Sequence, residues 1–120
     1  SIGGQEGTQI LAARCHVEID AAEALYLNTI RDAMRRLERH ETLSQLDLAT
    51  ARRNVAYACL TSLEAGTRLL NAGGGRLLYE GNPIARQHRN LMGGAAHHGV
   101  NWERAAQMFG ALVLRNDGET

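Results

Sequence analysis

Lysine is absent from this chain of 120 residues, so all 13 cationic side chains are arginine, and 13 acidic ones balance them. The formal net charge of zero leaves no overall field to recruit nucleic acid or an anionic membrane. Cysteine occurs only twice, at Cys15 and Cys59, with no CxxC companion. That argues against a disulfide framework or a zinc site and predicts two reduced, buried small side chains. No Glu-x-x-His pair is present, and His16, His40 and His88 lack ligand-spaced partners, so no metal is expected. No apolar run approaches the ~20 residues of a membrane span, and Ser1-Ile2-Gly3-Gly4 does not open a signal peptide. The expectation is a soluble, cytoplasmic chain without nucleic-acid or membrane partners. Alternating strand patterns, long linkers, internal repeats and low-complexity segments are also missing.

What is present reads as helix. Leu11, Cys15, Ile19, Ala22, Tyr26, Ile30, Ala33 and Leu37 recur at spacings of three and four, which predicts a long amphipathic helix from Thr8 to about Arg39. Its charges, including Arg14, Glu18, Asp32 and Arg36, read as a solvated face. A second helix begins near Ser44 or Gln45, carries Ala56, Leu60, Leu63, Thr67 and Leu70 as its apolar stripe, and ends at Gly73-Gly74-Gly75. The small residues Ala56, Ala58, Ala65 and Gly66 would let a neighbouring helix pack closely. Asn101 caps a last helix whose inward stripe is Trp102, Ala105 or Ala106, Phe109 and Leu112 or Val113. With 44% hydrophobic residues in one short chain, the closure expected is a single domain over residues 1–120, all-α, an antiparallel four-helix bundle.

The remaining helix carries the chemistry. Asn82-Pro83 opens it, because proline has no amide hydrogen to lose at the first helical position and asparagine caps the exposed amides. Arg86, Asn90, Gly93 and His97 then follow at spacings of four, three and four, on one helix face. Gly93-Gly94 costs roughly 1 kcal/mol per residue against alanine and fits either a break in the helix or, as favoured here, a surface that something flat approaches closely. Arg86 and Arg89 can clamp a phosphate or carboxylate through their planar forks, or anchor neighbouring helices. An unperturbed histidine titrates near pH 6.5, which suits acid or base work. His97 or His98 can equally cap the helix end, where imidazolium gains about 0.3–1 kcal/mol. Trp102 and Phe109 read as core rather than as a cofactor stack.

The order of features is similar to the C-terminal helical domain of the acyl-CoA dehydrogenase superfamily. The resemblance runs from the long first helix through Ala72-Gly73-Gly74 and Asn82-Pro83 to Arg86, Arg89 and a histidine eight residues on. Within the superfamily it most resembles the flavin-dependent monooxygenase branch, whose proline, arginine, Arg-Asp/Asn and histidine pattern is matched by Pro83, Arg86, Arg89, Asn90 and His97. Tyr79-Glu80-Gly81 looks like the dehydrogenase segment that carries a catalytic glutamate. It precedes the arginine pair, however, where the dehydrogenase segment follows it; the corresponding place here holds His97-His98-Gly99.

The resemblance implies the C-terminal part of a larger flavoenzyme that hydroxylates an aromatic or similar small molecule with reduced flavin and O2. His97 and His98 are its catalytic candidates, without a choice of which faces inward, and Arg86, Arg89, Asn90 and Gly93 its cofactor-binding candidates. It implies FMN or FAD in the intact enzyme and none on the isolated chain, a homo-oligomer that is tetrameric in the intact enzyme, and a flavin reductase as candidate partner. An acyl-CoA dehydrogenase-type domain and a stand-alone self-associating helical module are the alternatives.

Overall fold

The computed structural model describes residues 2–72, Arg86, Arg89 and residues 101–118. Its elements are three helices: α1 (Ile2–Glu38), α2 (Gln45–Asn71) and α3 (Trp102–Gly118), and the described residues contain no strand. The predicted helix after Pro83 lies outside the described residues, except that Arg86 and Arg89 are helical. The all-α class therefore holds.

Helix α1 has 37 residues, and at 1.5 Å per residue about 55 Å of helix sets the 59 Å long axis of the molecule. It starts before the predicted Thr8, passing through three glycines. Extending a helix that packing has already nucleated adds one bond per residue fixed, which offsets part of their poor propensity. A Schellman motif ends α1: the Glu41 amide donates to the Arg36 carbonyl at 2.9 Å and the His40 amide to the Leu37 carbonyl at 3.0 Å. A capping box opens α2: the Asp47 amide donates to Ser44 Oγ, and the Ser44 amide to Asp47 Oδ2, both at 3.0 Å. Arg36 joins the two ends, reaching Asp47 at 3.1 Å and Asp32 at 3.2 Å.

The core lies between α1 and α2. Cys15, Ile19, Ala65 and Leu69 form one buried cluster, with Leu11 and Ala12 against it; Ala22, Ala58 and Tyr26 form another. Since Arg36 meets Asp47 while Ile19 meets Leu69, the helices are antiparallel. The predicted stripe of α2 is met at Ala56, which is buried, and is rotated from the real one further along the helix. Ala58, Ser62, Ala65 and Leu69 are buried, whereas Leu63 and Thr67 are exposed. Small side chains win the inward face because they let α1 approach closely, and the buried area of a leucine does not compensate for holding the helices apart. Toward the C-terminal end of α1, Thr29 is buried while Ile30 and Leu37 are exposed, because strict four-and-three spacing drifts around a 3.6-residue helix.

Among the described residues, helix α3 packs on α2 and makes no contact with α1. Asn101 caps it as predicted, its Oδ1 accepting from the Arg104 amide at 3.0 Å, and Ala105 is its buried anchor. Tyr57 meets Trp102 edge-on at 5.5 Å, and the Arg53 guanidinium lies 4.2 Å from the Phe109 ring. These contacts run α3 antiparallel to α2, so α1 and α3 point the same way on either side of it.

Two positions test this backbone geometry. His40 adopts a φ of 58°, a left-handed conformation that costs a side-chain-bearing residue roughly 1–2 kcal/mol; His40→Gly is expected to raise stability by about 1 kcal/mol. Gly110 sits inside α3, and a Cβ there would meet nothing within 4 Å, so Gly110→Ala is expected to add about 0.5–1 kcal/mol. Urea unfolding of both variants checks the pair; destabilisation by either contradicts the local geometry.

Candidate functional site

Of the residues that the sequence assigns to a site, Arg86 and Arg89 are described, both helical and both exposed. Three positions apart, they share one side of a helix. Neither has an acidic partner among the described residues. No contact among the described residues anchors either one to another helix. Asn90, Gly93, His97 and His98 lie outside the described residues. Planar guanidinium forks of this kind can donate to a phosphate or a carboxylate.

The described helices bring together other groups that pattern reading did not pair. A polar relay crosses all three: the Thr29 hydroxyl donates to the Leu25 carbonyl at 2.7 Å and accepts from the Asn54 amide at 3.2 Å. Arg53 donates twice to Asn54 Oδ1, at 3.1 and 2.9 Å, and stacks on Phe109. The relay fixes Asn54 with its carbonyl toward Arg53 and its amide toward Thr29, and a guanidinium on an aromatic face is worth about 0.5–1 kcal/mol or more. Phe109 is thus held by a cation, a role its apolar spacing does not announce.

Glu18 and Arg36 leave the solvated face expected of them. Glu18 pairs with Arg14 at 3.1 Å on its own helix and with Arg68 across on α2. Burial opposes ionisation of Glu18, but hydrogen bonds and charge from Arg68 and Arg14 outweigh it and hold the carboxyl below its ordinary 4.5. Between the two values the unfolded chain binds the proton that the folded one does not. The pair's stabilisation is therefore complete above about pH 4.5 and lost as pH falls through the folded value. Glu18→Gln is expected to flatten the acid side of the stability profile; thermal melts from about pH 3 to 6 measure it, and an unchanged profile contradicts the ion pair.

Both cysteines are buried and unbridged, and burial raises both thiols, with Arg68 only partly opposing it at Cys15. Reactive cysteine chemistry is not what these positions offer. Among the described residues no group of three or more His, Cys, Asp or Glu side chains is placed to hold a metal, and no helix is long and apolar enough to cross a membrane.

Besides an open depression of about 850 Å³ beside the Glu18–Arg68 pair, the described residues line two further concave regions. The polar pocket at the α1–α2 turn, about 200 Å³, is lined by Asp32, Asp47, Arg35 and Arg36, two acids and two bases that pair with one another. A larger groove of about 610 Å³ runs over α2 between α1 and α3. Ile30 and Ala33 wall it on one side, Ala105 and Met108 on the other, and Val55 lies on the floor.

The family model described as acyl-CoA dehydrogenase, C-terminal domain, matches residues 1–102. No curated protein and no solved structure matches the chain. The match takes in α1, α2 and the whole Asn82–Gly99 motif segment, and on it the chain belongs to the acyl-CoA dehydrogenase C-terminal domain family.

Proposed function

We propose that this chain is the C-terminal domain of a flavin-dependent monooxygenase that hydroxylates an aromatic or similar small molecule. The observation that carries the reading is the histidine pair His97-His98, eight residues beyond Arg89, where dehydrogenases of the superfamily resemble one another in having a carboxylate. A dehydrogenase needs that carboxylate to remove a carbon-bound proton; a hydroxylase needs a group that titrates near neutrality to manage the proton of a substrate hydroxyl.

Reduced flavin, when bound, supplies the two electrons with which O2 yields one oxygen atom to the substrate and one to water. The chain's own part is narrower. Arg86 and Arg89 donate from exposed helical positions to the phosphate, Asn90 and Gly93, which follow them in the sequence, are the further cofactor-binding candidates, and His97 accepts the substrate proton and returns it. His98 is the alternative for that role.

The surface of α1 supports a domain that works inside a larger assembly. Cys15 and Ile19 are fully buried against α2, yet on the opposite side of the same helix Ile10 is 72% and Val17 66% exposed. Ala13, Ala21 and Ala24 continue that outer stripe, all exposed. A helix with two apolar faces, one uncovered, fits contact with further domains of the enzyme or with other subunits of a homo-oligomer.

The family match favours a second reading equally, an acyl-CoA dehydrogenase-type domain. The intact reading frame containing this chain separates the two. Oxygen uptake and a hydroxylated product with reduced FMN or FAD, supplied by a flavin reductase, are expected; acyl-CoA-dependent flavin reduction without oxygen incorporation contradicts the proposal and selects the second reading.

A further inference from the structure

We propose that α3 acts as a latch on the α1–α2 interface: docking of Phe109 sets Arg53, Arg53 sets Asn54, and Asn54 holds Thr29. Release of α3 then loosens α1 at Thr29, although α3 and α1 make no contact among the described residues. The device is independent of the flavin chemistry proposed above.

The direction of the relay comes from which groups can donate. The Thr29 hydroxyl gives its proton to the Leu25 carbonyl at 2.7 Å, so toward Asn54 it can only accept. Asn54 therefore presents its amide nitrogen there, at 3.2 Å, and turns its Oδ1 the other way. Arg53 carries donors and no acceptor, and its Nε and Nη2 meet that oxygen at 3.1 and 2.9 Å. Turning the amide over would set oxygen against oxygen at Thr29 and nitrogen against nitrogen at Arg53. One orientation satisfies both ends, and Thr29 is buried, where little water is available to replace a lost partner.

What ties that orientation to α3 is the place of the guanidinium. Arg53 and Asn54 are neighbours in sequence, and successive side chains on a helix point about 100° apart, so they do not ordinarily face each other. The Arg53 side chain closes that angle while its guanidinium carbon lies 4.2 Å from the centre of the Phe109 ring. An aromatic face on α3 and a carbonyl on α2 thus hold one planar group between them. Helix α3 packs on α2 and not on α1 among the described residues, which makes its docking separable from the pairing of the other two. Trp102 against Tyr57 gives α3 a second hold about two turns away, one that involves no residue of the relay and remains when Phe109 is replaced.

The test follows the full chain, labelled with nitrogen-15, by urea unfolding and by exchange of side-chain N–H protons with water. Phe109→Leu removes the ring face and Thr29→Val the hydroxyl, each with bulk retained. Phe109→Leu is expected to speed exchange of the Asn54 side-chain amide by about tenfold, the worth of a hydrogen bond to a charged group, while Phe109→Tyr, which keeps the aromatic face, leaves it slow. Phe109→Leu is also expected to lower the folding equilibrium constant at least about threefold less in the Thr29→Val chain than in the unsubstituted one, beyond the error within which distant substitutions add. Strict additivity of the two substitutions overturns the proposal, and so does an unchanged Asn54 exchange rate in Phe109→Leu. The unsubstituted chain provides a readout that needs no variant: exchange of Arg53 Nε–H and of the Asn54 amide is expected to rise with urea along one slope, as in a single cooperative opening, and two different slopes contradict the latch.

Discussion

Ile19→Ala is expected to destabilise the isolated chain by about 3 kcal/mol, within the 2–5 kcal/mol typical of large-to-small core substitutions. Ile19 is fully buried, in one cluster with Cys15, Ala65 and Leu69. Its partners across the interface include small side chains that cannot move in to fill the space, so the lost transfer energy is joined by the energy of a cavity. For a domain whose total stability is of the order of 5–15 kcal/mol, that is a large fraction. Val17 provides the control, two positions away and about 200° around the helix, at 66% exposed. Val17→Ala is expected to change the isolated chain by no more than about 0.5 kcal/mol. Urea denaturation of the two variants decides the matter: similar losses would mean that α2 does not cover the face of α1 assigned to the core.

The first half of that core was legible in the sequence. Cys15, Ile19 and Ala22 sit where the apolar period put them, and the ends of α2 and the Asn101 cap follow their local signals. What periodicity could not supply was which face of α2 turns inward. Ser62 is fully buried and Leu63 is 42% exposed, an inversion that hydropathy cannot anticipate, since it depends on how near α1 comes.

Nor could pattern reading find the contacts between helices. Glu18 with Arg68 and Thr29 with Asn54 are separated by 50 and 25 positions, and nothing in a charge run marks which of its members will be desolvated by another helix. The candidate site divides differently. Its residues were named from their order along the chain, a property of sequence, and of these the described structure reaches Arg86 and Arg89 on an exposed helical surface. The histidine pair lies outside the described residues, so the assignment to His97 stands on spacing and chemistry and is decided by kinetics.

A positioned acid or base contributes typically 10²–10⁴-fold, whereas a histidine that merely ends a helix is worth about 0.3–1 kcal/mol of stability and nothing in turnover. The two roles differ in which quantity moves. The pH profile adds an independent signature: if His97 accepts the substrate proton, the acid limb of the rate profile reports its titration, and that limb disappears with the ring. His98 serves as comparison, because in the helix that the sequence predicts there, successive side chains point about 100° apart. The deciding measurement is the hydroxylation rate of the intact enzyme carrying His97→Ala or His98→Ala, across pH, beside the unfolding midpoint of each. With His97 as the base, His97→Ala slows turnover by roughly 10²-fold or more and removes the acid limb while the midpoint barely moves, and His98→Ala keeps both rate and limb; unsubstituted rates in both variants would contradict that role.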